Sequence, residues 1–216
     1  MSSLRRLGLG GVVILAITLV GATPALATEE GIATTGRAAF TKGGTTITVA
    51  PQAKCSVDGQ SAASSPKVVK TGVTFGVGSS TCTTTTVDPV NEVTETNSQA
   101  TGKDFELSAL VSLKGPRINI KNYKVTCKGT QAGTNAGFSY SGATGLPTLP
   151  SPLPANYVAP LKKSGTSTVL AEATFNEQNL PGDGSIALNM IHIRFKPASG
   201  IDGEVIIGRT ACSPTP

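Results

Sequence analysis

The chain has 216 residues with 18 Lys and Arg against 13 Asp and Glu, a formal charge of +5, no Trp, three Tyr and a single His. That length suits one domain with a substantial core. So mild a charge argues against a nucleic-acid partner, and one histidine leaves little room for imidazole-based zinc or triad chemistry.

The N-terminus reads MSSLRR, then an apolar run over residues 7–20, then GATPALA. A basic head, a short apolar middle and small residues at a cut predict a secretory signal over residues 1–27, with Ala25 and Ala27 at the two specificity positions of the peptidase. The run is short of the roughly 20 residues a membrane helix needs, so the mature chain, residues 28–216, is expected to carry no membrane span. Without Arg5 and Arg6 the balance is 16 basic to 13 acidic.

Strand and turn composition dominates the mature region, with 25 Gly and 14 Pro in the whole chain punctuating runs rich in Thr, Ser and aliphatic residues. TTITVA at 45–50 and KVVKTGVTFGV at 67–77 read as strands. STCTTTTV at 80–87 reads as edge-strand sequence that is also open to O-linked sugar after export. In DFELSALVSL, residues 104–113, Phe105, Leu107, Ala109, Val111 and Leu113 alternate with polar residues, which predicts a strand with one wet face. In RINIKNYKVTC the parity of Ile118 and Ile120 differs from that of Tyr123, Val125 and Cys127, which predicts a bulge at Lys121 or Asn122. Lys114, Arg117, Lys121, Lys124 and Lys128 make the densest positive stretch, read as the solvated edge of a strand. It lacks the aromatic interleaving that base stacking would use.

GFSYSG at 137–142 is a further strand, and the Pro-rich stretch 146–160 is expected to be an extended connector crossing between sheets, because Pro lacks the amide donor a sheet interior needs. TSTVLAEATF places Val169, Ala171, Ala173 and Phe175 inward. In SIALNMIHIRF, Ile186, Leu188, Met190 and His192 share one side and Asn189, Ile191, Ile193 and Phe195 the other. Both sides are largely apolar, so a central strand is expected, with His192 a hydrogen-bonded structural residue. GEVIIGRTAC is the last strand. Three Asp-Gly pairs, Asp58-Gly59, Asp183-Gly184 and Asp202-Gly203, read as tight turns. No sustained 3.6-residue periodicity occurs, so helix is expected to be scarce. The fold class predicted is all-β, an antiparallel β-sandwich forming a single domain after a cleaved signal peptide.

Four cysteines, Cys55, Cys82, Cys127 and Cys212, in an exported chain argue for two disulfides. Three pairings are open; the shorter loop favours Cys55 with Cys82. No C-x-x-C or paired histidine supports a metal site, so no metal and no cofactor are expected. Two carboxylate pairs, Asp104 with Glu106 and Asp202 with Glu204, sit two residues apart and would share a strand face. Acid hydrolysis of sugars would need such a pair across a cleft, normally with aromatic rings that this chain lacks. They read as solvated faces. No G-x-S-x-G elbow accompanies His192, and no catalytic residue is assigned.

The C-terminal region resembles the choice-of-anchor P family, secreted β-rich surface proteins of high-GC Gram-positive bacteria. The matching residues are Asn189 and His192 in N-x-x-H-I, then Gly203, Val205, Ile207 and Gly208 in G-E-V-I-I-G, and Cys212. KVTCKGT at 124–130 is similar to the family's earlier cysteine strand, and the similarity spans roughly 104–216. The resemblance implies a Cys127–Cys212 disulfide and an exported, surface-associated protein whose anchor differs between members. The chain runs four residues past Cys212 with no anchor-like tail, so free secretion or attachment through a partner is expected.

The function expected is a secreted, non-catalytic cell-envelope or extracellular β-domain, a binding or structural module whose partner is a cell-wall or extracellular protein or glycan. The alternatives are a secreted hydrolase using a carboxylate pair, and a small-ligand carrier with an apolar pocket between the sheets.

Overall fold

A computed structural model of the chain describes residues 31–215, so the expected signal segment lies outside the described residues. Two antiparallel sheets of seven strands each pack face to face as a β-sandwich. The first sheet holds β1 (Ile32–Lys42), β2 (Thr45–Gln52), β3 (Cys55–Ser56), β11 (Tyr157–Lys162), β12 (Val169–Asn179), β13 (Ile186–Phe195) and β14 (Ile201–Cys212), in the order β11-β12-β13-β14-β1-β2 with β3 paired to the start of β1. The second holds β4 (Ala62–Ser65), β5 (Val68–Lys70), β6 (Val73–Phe75), β7 (Gly78–Asp88), β8 (Val93–Leu107), β9 (Ile118–Thr130) and β10 (Gly133–Ser141), in the order β10-β9-β8-β6-β5, with β7 between β8 and β4. The only helical pieces among the described residues are two 3-10 turns, Val111–Leu113 and Pro197–Ser199.

Apolar residues recurring every second position fill the space between the sheets. Phe75 and Phe105 meet edge to face at 5.1 Å in the second sheet, and Phe40 and Phe195 at 5.2 Å in the first. Ala171, Ala173, Phe175, Ile191, Ile193, Val205 and Ile207 complete the first sheet's inner face. The Tyr123 hydroxyl crosses from β9 to donate to the Thr35 carbonyl of β1 at 3.0 Å, and its burial pushes the phenol's pKa up. Both disulfides also cross the sandwich. Cys55–Cys82 ties β3 to β7, and Cys127–Cys212 ties β9 to β14, so each covalent bond clamps one sheet to the other.

Several expected elements differ from those observed. The strand predicted over 104–113 ends at Leu107, because the Ser108 and Ala109 amides both donate to the Gly72 carbonyl and turn the chain inward, burying Ala109 and Leu110 together. KVVKTGVTFGV is a hairpin of β5 and β6 that turns at Gly72 rather than one strand. The Pro-rich connector is shorter than 146–160: Tyr157–Lys162 forms β11, and Pro160 is tolerated there because β11 is an edge strand. The connector does cross from the second sheet to the first. Asp202-Gly203 is not a turn. Gly203 lies inside β14 at φ +117°, where a Cβ would sit 2.2 Å from the Ala39 carbonyl oxygen, so β1 can pair closely only against glycine. The chain turns earlier, over Pro197–Gly200.

The parity change in β9 is real, but it is not a bulge. Lys103 faces Asn122 and Phe105 faces Ile120 in one unbroken register, so no residue has been inserted. The phase changes instead through Asp104, at φ +48°, with Lys121 and Asn122 both exposed. The first sheet carries a matching crease. Asn176 of β12, Met190 of β13, Gly208 of β14 and Thr35 of β1 fall on one transverse line, with ladder pairs in constant register on both sides. Asn176 (φ +51°) and Gly208 (φ +65°) take the left-handed conformation there. Met190 and Ile191 consequently both join the core, and the alternation of β13 changes phase between them.

Candidate functional site

That change of phase decides where His192 and Asn189 lie. Strict alternation would put them on opposite faces, as the sequence predicts; the crease puts both on the outer face of the first sheet, three residues apart yet bonded to one oxygen. Asn189 Nδ2 donates to Glu177 Oε2 at 2.6 Å, and His192 Nδ1 lies 2.7 Å from the same atom. On the ring's other edge, Nε2 is 2.8 Å from Glu204 Oε2. Cross-strand register supplies the rest: Arg194 of β13 donates to Glu177 Oε1 at 2.7 Å, and Arg37 of β1 donates to Glu204 Oε1. Arg209 donates to Asn189 Oδ1 at 3.5 Å. The chain thus links β12, β13, β14 and β1 through side chains on one face.

The His192 side chain is only 6% exposed, against 19% for Glu177 and 30% for Glu204. Each ring nitrogen of His192 thus faces a carboxylate oxygen of a different strand. Burial alone would raise the Glu177 pKa. The hydrogen bonds from His192, Asn189 and Arg194 outweigh it and hold the carboxyl down at about 2. Glu204 is likewise lowered, with burial opposed by the hydrogen bond and charge of His192 and by Arg37.

Chemically the cluster is saturated. Neither imidazole nitrogen is free to take a proton from a nucleophile, which general-base catalysis requires. Glu177 and Glu204 sit at opposite edges of the ring and do not converge on one point. Among the described residues, no group of three or more His, Cys, Asp or Glu side chains is placed to hold a metal ion.

The remaining motif residues have backbone roles. Gly203 admits β1, and Gly208 admits the other sheet, since a Cβ there would lie 2.7 Å from Val125 Cγ1. Of the two carboxylate pairs, Asp104 and Glu106 line one shared depression beside the crease. Glu106 is tied to Arg117 at 2.5 Å and Glu204 belongs to the histidine cluster, while Asp104 and Asp202 are exposed. Sequence reasoning missed Glu177 and Arg37. Glu177 lies beyond the left-handed Asn176, where strand alternation stops being a guide, and Arg37 joins only through the pairing of β1 with β14.

Lys114, Arg117, Lys121, Lys124 and Lys128 do not mark a strand edge. The residues among them that lie in β9 belong to an interior strand, flanked by β8 and β10. No helix among the described residues is long and apolar enough to cross a membrane. No family model matches the chain, and no curated protein or solved structure matches it either.

Proposed function

We propose that the protein is an exported, non-catalytic binding or structural module of the cell envelope or extracellular space. The observation that carries this reading is the histidine cluster: the chain's one imidazole is spent on joining strands, with both nitrogens engaged by carboxylates. Two disulfides that clamp the sheets together add support, since such bonds persist in oxidising compartments. The signal-like N-terminus and the resemblance to choice-of-anchor P proteins point the same way.

A crosslinking pull-down of residues 28–216 against intact cells and isolated wall tests it. Specific capture of an envelope or extracellular protein or glycan is the expected result. Capture of nothing, alongside turnover of a polysaccharide or peptide by the purified chain, would replace this reading with the hydrolase.

A further inference from the structure

The outer face of the second sheet is built largely from hydroxyl, amide and lysine side chains. Its outward residues form transverse rows in continuous register across β7, β8, β9 and β10: Thr83, Asn97, Lys128 and Asn135 in one row, then Thr81, Gln99, Thr126 and Gly137. The next rows are Ser79, Thr101, Lys124 and Ser139, then Lys103, Asn122 and Ser141. Every side chain in them is a hydroxyl, an amide or a lysine. Past these rows comes the crease, where Asp104 and Lys121 also point outward.

Two depressions mark the ends of this face. One of about 290 Å³ is lined by Thr81, Asn97, Gln99, Thr126, Lys128 and Asn135. The other, of about 430 Å³, lies beside the crease between Lys67, Asp104, Glu106, Asn119, Lys121 and Thr144. At strand spacing these four rows extend roughly 20 Å along the strands and about 14 Å across. These are the dimensions of an extended chain's footprint rather than of a small-molecule cavity.

Charge decides the kind of chain. Lys128 is neutralised by Glu95, and Glu106 by Arg117. Lys67, Lys103, Lys121 and Lys124 have no carboxylate within ion-pair distance among the described residues, and Asp104 is the one acid of this face without a basic partner. Four unneutralised ammonium groups call for an anionic occupant. Hydroxyl and amide side chains between them offer both donors and acceptors, which suits a ligand rich in hydroxyls. Base stacking would need aromatic rings, and no row carries one.

We propose that this face binds an anionic glycan chain, laid along β8 and β9 with its ends in the two depressions and its acidic groups over Lys67, Lys103, Lys121 and Lys124. This rests on the binding-module reading and names the ligand class and the surface.

The test uses the mature chain and four probes in titration calorimetry: a galacturonic acid hexamer, a sulfated dextran oligomer, neutral cellohexaose and a single-stranded oligonucleotide. The first two separate carboxylate from sulfate as the acidic group. The expected result is binding of at least one acidic glycan, about tenfold or more tighter than cellohexaose, weakening as salt rises. Combined Lys103→Ala and Lys124→Ala substitution should weaken it about tenfold or more with Tm unchanged, because neither lysine holds a partner, while Lys163→Ala, off this face, should not. Failure of both acidic glycans to bind, equal binding of cellohexaose, tighter binding of the oligonucleotide, or indifference to the double substitution would each overturn the assignment. Capture of an envelope partner that survives the double substitution would leave the module reading standing and remove only this surface.

Discussion

At the residue scale, Glu177 is the side chain on which the outer face of the first sheet depends most. Its carboxyl holds three donors, and its folded pKa of about 2 lies below the ordinary 4.5. A carboxylate lowered on folding contributes stability that is whole above its unfolded value and is lost as pH falls through the folded one. The contribution should therefore be intact above about pH 4.5 and disappear between there and about pH 2. Glu177→Gln keeps the shape but not the charge, so its Tm deficit relative to wild type should be largest near neutrality and close towards pH 2; a deficit constant with pH would show that charge is not what Glu177 supplies. That His192 sits buried and hydrogen-bonded in a central strand was legible in the sequence, from its place in an apolar run. Its partners were not, because they come from strands 15 and 12 residues away and from the face that strict alternation assigns to Asn189.

At the element scale, runs such as residues 186–195 and 45–50 announced their strands through apolar residues and β-branching. What the sequence concealed was the phase of the alternation. A left-handed residue such as Asn176 or Asp104 rotates the strand by one position without adding a residue, and nothing in its neighbours signals this. Gly203 misled for a related reason: Asp-Gly is a good turn pair, yet here glycine serves the close approach of β1. Two disulfides were legible from the even cysteine count, Cys55–Cys82 from its shorter loop and Cys127–Cys212 only through the family resemblance, and their placement across the sandwich adds an energetic consequence. Closing separations of 27 and 85 residues restricts the unfolded chain by about 3.5 and 4.5 kcal/mol respectively in the loop-entropy description. Replacing Cys127 and Cys212 together by Ala should thus cost more in denaturant unfolding than replacing Cys55 and Cys82. The reverse order would mean that native packing around β3 and β7, and not loop length, sets the contribution.

At the scale of the whole molecule, the architecture was readable because a sandwich is what many short strands with one apolar face each must build. The distribution of chemistry over its two outer faces was not. A run of lysines in β9 looks in sequence like protection of an edge; only the strand order makes it the middle of a sheet whose neighbours carry hydroxyls and amides. One outer face uses its charges on itself through the histidine cluster, while the other leaves lysines unneutralised. Two sheets joined by two disulfides, with lysines left unneutralised on one outer face, are what the proposed binding module would use. The most direct measurement is sedimentation of residues 28–216 with isolated cell wall, following bound protein and soluble wall fragments together over several hours. Saturable, reversible retention on a wall that stays intact is the predicted result; protein left in the supernatant while fragments accumulate with time would contradict it.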